Sequence, residues 1–126
     1  MKRGWLALGL LVAMVALAWW HTASLDDLTG ELGGLLTRAE ERAERGDWEG
    51  AAGLTRLASS RWEGKHFYLH ATLEHDVTDA IDTGFADTLE FIQCREAGEY
   101  SAANARLMSQ LRLLGEMERP LLENLL

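Results

Sequence analysis

The chain opens with a long apolar run. Residues 4–20 hold no charged side chain in 17 positions, and at about 1.5 Å per residue they make a helix of roughly 25 Å. That length is at the short end of what crosses a hydrocarbon layer of about 30 Å. Trp5 lies at one end of the run and Trp19 with Trp20 at the other, and indole rings favour membrane interfaces. The pattern predicts a transmembrane helix, and we assign residues 1–23 to an N-terminal membrane anchor.

The charges on either side of the run predict its orientation. Lys2 and Arg3 precede it, whereas the first charged residues after it are Asp26, Asp27 and Glu31. Positive charge favours the cytoplasmic side of a membrane helix. We therefore expect a cytoplasmic N-terminus and a C-terminal domain outside the cell membrane.

A cleaved signal peptide is the alternative. A basic start, an apolar core and residues 16–18, with the sequence ALA, fit the pattern that signal peptidase recognises. Cleavage there would leave Trp19 and Trp20 at the start of a soluble chain, which favours the uncleaved anchor. Both interpretations export the rest of the protein, the second as a secreted form.

Beyond residue 23 the apolar positions follow helical spacing. Steps of three and four residues recur along several stripes, which is typical of amphipathic helices. The first stripe comprises Leu25, Leu28, Leu32, Leu35, Ala39 and Ala43. Ser24 is predicted to cap this helix, and Pro120 to end the last one. The fold class is therefore all-α: a transmembrane helix, then a compact antiparallel bundle of about four helices over residues 24–126.

Two similar elbows divide the predicted bundle into two helical hairpins. Residues 45–48 read RGDW, and residues 97–100, which lie 52 positions later, read AGEY. In each we expect the glycine to close one helix, the acid to cap the next, and the aromatic residue to pack into the elbow. Earlier glycines in the first helix, at positions 30, 33 and 34, suggest a hinge or a close helix contact.

The charge balance excludes some partners. The chain has 12 basic and 20 acidic residues, a formal charge of −8, and a nucleic-acid partner would need a basic surface. Residues 21–126 hold 10 bases and 20 acids, a net charge of −10. An anionic leaflet repels such a domain, so we expect it to stand off the membrane and to meet another membrane or envelope protein.

The main alternative function is that of a secreted or anchored protein that binds a metal or a small ligand. His66, His70 and Glu74 are spaced four apart, so a continuous helix would place them on one face, where two histidines and a carboxylate can hold zinc. A solvated face beside aromatic core residues explains the same spacing. We expect no resident metal or other cofactor.

No set of residues predicts catalysis. His75 and Asp79 are four apart, but acids in a first helical turn are typical of capping, and no nucleophile accompanies them. Cys94 is the only cysteine, which excludes a disulfide framework. We expect it to be a buried, unreactive thiol on an apolar helix face. The protein is therefore predicted not to be an enzyme.

Two groups of residues are candidates for interaction. Three aromatic side chains either pack in the elbows or form a contact surface, and a leucine-rich tail either docks on the bundle or binds another chain; a homo-oligomer is possible. These candidates are Trp48, Trp62, Tyr100, Leu121, Leu122 and Leu125.

The order of these features resembles the family called domain of unknown function 4363. The matching pieces are the basic start and apolar run, GDWE at residues 46–49, Trp62, residues 75–82 and LENLL at residues 122–126. The resemblance implies a bacterial, membrane-anchored helical bundle outside the cell, with no established activity and with a membrane protein as its partner. The chain is richer in Arg, Ala and Gly than that pattern and poorer in Lys.

Overall fold

The computed structural model describes residues 2–65 and 75–125, and within them the side chains of residues 3–20, 27–65 and 76–116. These residues form four helices and no strand. The helices are α1 (Lys2–Glu44), α2 (Trp48–Gly64), α3 (His75–Gln93) and α4 (Ala97–Leu125). The predicted all-α class is confirmed.

Helix α1 is one continuous element of 43 residues, roughly 65 Å long. It joins the apolar run to the first bundle helix, so the prediction that a new helix begins at a Ser24 cap is wrong. Neither glycine nor proline occurs between Trp20 and Leu28, and a serine inside a helix costs too little to break it. No linker separates the apolar run from the bundle.

The second part of α1 packs with the other three helices into an antiparallel four-helix bundle. Each helix contacts two neighbours: α1 contacts α2 and α4, and α3 likewise contacts α2 and α4. The centre of the bundle is filled by leucines together with larger side chains from α2 and α3. The largest cluster of buried residues includes Leu32, Leu36, Trp62, Ile81, Phe85, Leu107, Leu111 and Leu114.

The two elbows have the same backbone hydrogen bonds. The first elbow joins α1 to α2, and there the amide of Asp47 donates to the Arg42 carbonyl at 2.9 Å. The second elbow joins α3 to α4, where the amide of Glu96 donates to the Phe91 carbonyl at 3.0 Å. The residue before each donor has a positive φ, 81° at Gly46 and 55° at Arg95. This is the Schellman ending of a helix.

The structural repeat therefore has a different register from the predicted one. Arg95, not Gly98, takes the left-handed conformation, so α3 ends at Gln93 and Gly98 lies in the first turn of α4. Equivalent positions are 49 residues apart, not 52. The buried residues of α2 and α4 follow this register: Ala51 and Tyr100, Thr55 and Asn104, Ala58 and Leu107, Trp62 and Leu111. The molecule contains two similar helical hairpins.

One further helix limit differs from prediction. Helix α4 continues past Pro120 to Leu125, so the prediction that this proline ends it is wrong. A proline removes one backbone donor from a helix, and the neighbouring turns here keep the helix continuous. Helix α2 ends at Gly64, and Lys65 follows it in a helical conformation. Residues 66–74, which follow, lie outside the described part of the chain.

Candidate functional site

No residue in the apolar half of α1 is buried within the described protein. The window Arg3–Trp20 has a mean hydropathy of 1.6 over 18 residues and is 0% buried. Trp5 is 75% exposed and Trp20 66%. Among the described residues, α1 is the one helix long and apolar enough to cross a membrane. A signal sequence near an N-terminus meets the same criteria of length and hydropathy.

The bundle half of the same helix is closely packed. Leu32 and Leu36 are fully buried, and the side-chain amide of Asn104 in α4 donates to the Leu36 carbonyl at 3.1 Å. The first core residue, Leu28, follows Trp20 after eight positions, or about 12 Å of helix. The bundle therefore begins just beyond the apolar half. Glycines 30, 33 and 34 cause no hinge in α1, and a side chain at any of them would meet no neighbouring atom within 4 Å.

Trp48 and Tyr100 lie together at the elbow end of the bundle. Their rings meet edge to face, with centroids 5.9 Å apart, and Tyr100 is 1% exposed. Burial, followed by the charges of Glu40 and Glu44, raises the pKa of Tyr100. Its hydroxyl has no hydrogen-bond partner within the described part of the chain. Tyr100 is therefore an interior residue, and Trp48 is the half-exposed member of the pair.

Trp62 forms a polar contact between the two hairpins. Its indole nitrogen donates to the Asp82 carboxylate at 2.6 Å, and its side chain is only 1% exposed. The contact lies in a cleft of about 330 Å³ between α2 and α3, which Ser59 and Glu63 also line. Nothing in the spacing of Trp62 and Asp82 along the chain predicts this pairing.

Asp79, the second member of the predicted His75 and Asp79 pair, lies in a groove between α3 and α4. The groove has a volume of about 370 Å³, and Asp76, Asp79 and Arg106 line it. Asp79 is exposed, whereas the side chain of His75 lies outside the described residues. Gly84 allows the close approach of the two helices, because a Cβ there would lie 2.9 Å from Leu107.

The candidate zinc ligands His66, His70 and Glu74 lie outside the described residues. Within residues 2–65 and 75–125, no three His, Cys, Asp or Glu side chains are placed to hold a metal ion. The proposed metal site at residues 66–74 therefore stays a prediction.

Cys94 is exposed, so the prediction of a buried thiol is wrong. Because α3 ends one residue earlier, Cys94 belongs to the elbow and not to the apolar helix face. Desolvation, a hydrogen bond to Glu90 and the charges of Glu90 and Glu96 raise the pKa of the Cys94 thiol. Its reactive thiolate is accordingly disfavoured.

A groove of about 410 Å³ lies between α1 and α4, and Gly30, Gly33 and Glu116 are among the residues that line it. The leucine-rich tail continues α4 beyond this groove. The backbone of Leu121, Leu122 and Leu125 is helical, and their side chains lie outside the described set.

The comparison with known families covers most of the chain. No curated protein and no solved structure matches it. The family described as "Domain of unknown function (DUF4363)" matches residues 19–125. This range contains the whole bundle together with the last two residues of the apolar half of α1. The chain thus belongs to the DUF4363 family.

Proposed function

We propose that this protein is a single-pass membrane protein whose helical bundle, outside the cell membrane, binds or steadies another membrane or envelope protein without catalysis. The observation that carries the proposal is the apolar half of α1, in which no residue is buried although it is continuous with the packed half. Leaving so many apolar side chains in water is costly, at about 25 cal/mol per Å². A lipid bilayer removes that cost.

The continuity of α1 supports a close association of the bundle with the membrane. The bundle core begins about 12 Å beyond Trp20 along the same helix, which is closer than the stand-off that the acidic charge suggests. Since α1 is a bundle helix as well as the anchor, the other helices run along its direction. Their elbows, at residues 45–47 and 94–96, then lie at the far end from the membrane.

The surface of the bundle supports a protein partner in preference to a lipid or nucleic-acid one. Residues 21–126 carry a net charge of −10. Two large apolar side chains of the bundle are nevertheless exposed, Leu57 at 43% and Leu113 at 54%. A protein surface can cover single apolar residues within a polar rim, whereas an anionic lipid surface repels the charge.

Site-specific photo-crosslinking in native membranes tests the proposal. A photoreactive residue replaces Leu57 or Leu113 in the full-length protein, and Glu41, which is also exposed, provides the matched control position. We expect the two leucine positions to give one defined product that the control position lacks. Identical products at all three positions, or none at the leucines, would contradict a specific protein partner.

A further inference from the structure

The register of α4 against α1 shows where the C-terminal end of α4 lies. The Ser101 hydroxyl donates to Glu40 at 2.9 Å, and the Asn104 amide donates to the Leu36 carbonyl at 3.1 Å. The two helices are therefore antiparallel, and each step toward the C-terminus of α4 matches a step toward the N-terminus of α1. Gly30 and Glu116, which line one groove, follow the same antiparallel direction with an offset of six residues.

This alignment extends to the last turn of α4. Leu125 is 21 residues after Asn104, and 21 residues before Leu36 is Val15. Counting from Glu116 and Gly30 instead places Leu125 level with His21. Since both helices rise about 1.5 Å per residue, the end of α4 lies level with residues 15–21. Trp19 and Trp20, the indoles at the membrane boundary, are in that range.

The sequence at this level suits a lipid interface. Residues 121–126 read LLENLL, with four leucines in six positions. Leu114 is the last large buried side chain of α4 among the described residues. Helical segments rich in leucine enter the boundary between headgroups and acyl chains when they are held at that depth.

We propose that the last turn of α4, residues 121–125, enters the same membrane interface as Trp19 and Trp20, so that the bundle contacts the lipid surface at both of its terminal helices. This inference rests on the proposed anchoring of α1 in the membrane. Two contacts would hold the bundle upright, with α1 and α4 both directed into the interface. The acidic remainder of the bundle faces water.

Depth-dependent quenching of a fluorescent label tests this placement. The full-length protein is reconstituted in phosphatidylcholine vesicles that contain lipids brominated on their acyl chains. An environment-sensitive label is attached to Leu122→Cys or Leu125→Cys in a Cys94→Ser background. The native Cys94, exposed at the far elbow, is labelled in the unchanged chain as the matched control, and Ala13→Cys in the same background reports on the apolar half of α1.

We expect brominated lipid to quench the labels at positions 122, 125 and 13, and to leave the label at position 94 unchanged. Unquenched labels at 122 and 125 with a quenched label at 13 would overturn this inference and leave the membrane anchor standing. An unquenched label at position 13 would overturn the anchor and, with it, the second contact. Helix content and melting temperature equal to those of the parent chain show that the labelled variants are folded.

Discussion

The two halves of α1 have the same backbone and opposite surroundings. Between Arg3 and Trp20 no part of the helix is buried, whereas Leu32, Leu36 and Ala39 in the second half are fully buried. The first half is apolar on all sides, and the second half is apolar along one stripe. The apolar stripe of the second half is buried against α2 and α4. An apolar surface on every side is typical of a helix that is enclosed by protein or that spans a membrane.

The largest effect is predicted for substitutions in the apolar first half of α1. Replacing Leu10 and Val15 together with arginine adds two charges near the centre of the proposed membrane helix, each costing about 2.5–3.5 kcal/mol. The membrane-to-water distribution then shifts by more than about a thousandfold. We expect loss of the protein from the carbonate-resistant membrane fraction. The control Glu41→Arg, on an exposed site of the second half, stays with the membrane, and retention of the double arginine variant would refute the assignment.

The next largest effect is predicted for a substitution in the packed second half of α1. Leu36→Ala removes a fully buried side chain and should lower the free energy of unfolding by about 2–5 kcal/mol. Leu11→Ala is the matched change in the first half, where Leu11 is 59% exposed, and should change it by less than about 0.5 kcal/mol. Denaturant titration in detergent micelles, followed by circular dichroism, measures both. Equal losses would mean that the two halves are packed alike.

Matched substitutions of one buried and one exposed tryptophan compare the bundle with the first half of α1. Trp62→Phe removes the indole donor to Asp82. It should lower the free energy of unfolding by about 1.5–3 kcal/mol, because the acceptor is charged. Trp20→Phe changes an exposed ring in the first half and should leave the unfolding midpoint unchanged. The same denaturant titration compares them. If Trp62→Phe proved as mild as Trp20→Phe, the contact between the hairpins would carry no specific stability.

Substitutions in the two elbows are predicted to have smaller effects on the stability of the bundle. Gly46→Ala forces a side chain into a positive φ and should destabilise the bundle by about 1 kcal/mol. Arg95→Gly relieves the equivalent strain and should stabilise it by up to about 1 kcal/mol. Opposite shifts in melting temperature are expected. Shifts of the same sign would show that the two elbows are not equivalent.

The smallest effect at neutral pH concerns Tyr100. Its pKa is raised by burial and by Glu40 and Glu44, so the folded state favours the neutral phenol. The contribution of neutral Tyr100 to the free energy of unfolding is fully present below the pKa of an unfolded tyrosine, about 10. It decreases as the pH rises above that value. Tyr100→Phe should remove this alkaline loss and alter the unfolding free energy at pH 7 by less than about 1 kcal/mol. Denaturant titrations at pH 7 and pH 11 check both; an unchanged alkaline loss in the variant would assign it to another group.

Local chemistry explains which features the sequence predicts. The apolar run and the helical stripes depend on residue type and spacing alone, and both the helical class and the family membership are confirmed. The elbow register depends on which residue adopts a positive φ. A glycine at position 98 favours a positive φ at that position, yet Arg95 is the residue that adopts it.

Long-range contacts explain what the sequence leaves open. The hydrogen bond from Trp62 to Asp82 and the alignment of α4 with α1 depend on how helices meet in space, and no spacing rule gives either. The same applies to Cys94, whose exposure follows from where α3 ends. The functional candidates at residues 66–74 remain predictions, since they lie outside the described residues.

The mass of the protein in isolated membranes tests the central claim most directly. Intact-mass spectrometry of the carbonate-resistant fraction from the native host measures whether residues 1–23 are retained. The account predicts a membrane-bound chain that still contains the whole apolar half of α1. A soluble chain that begins after Ala18 would contradict it.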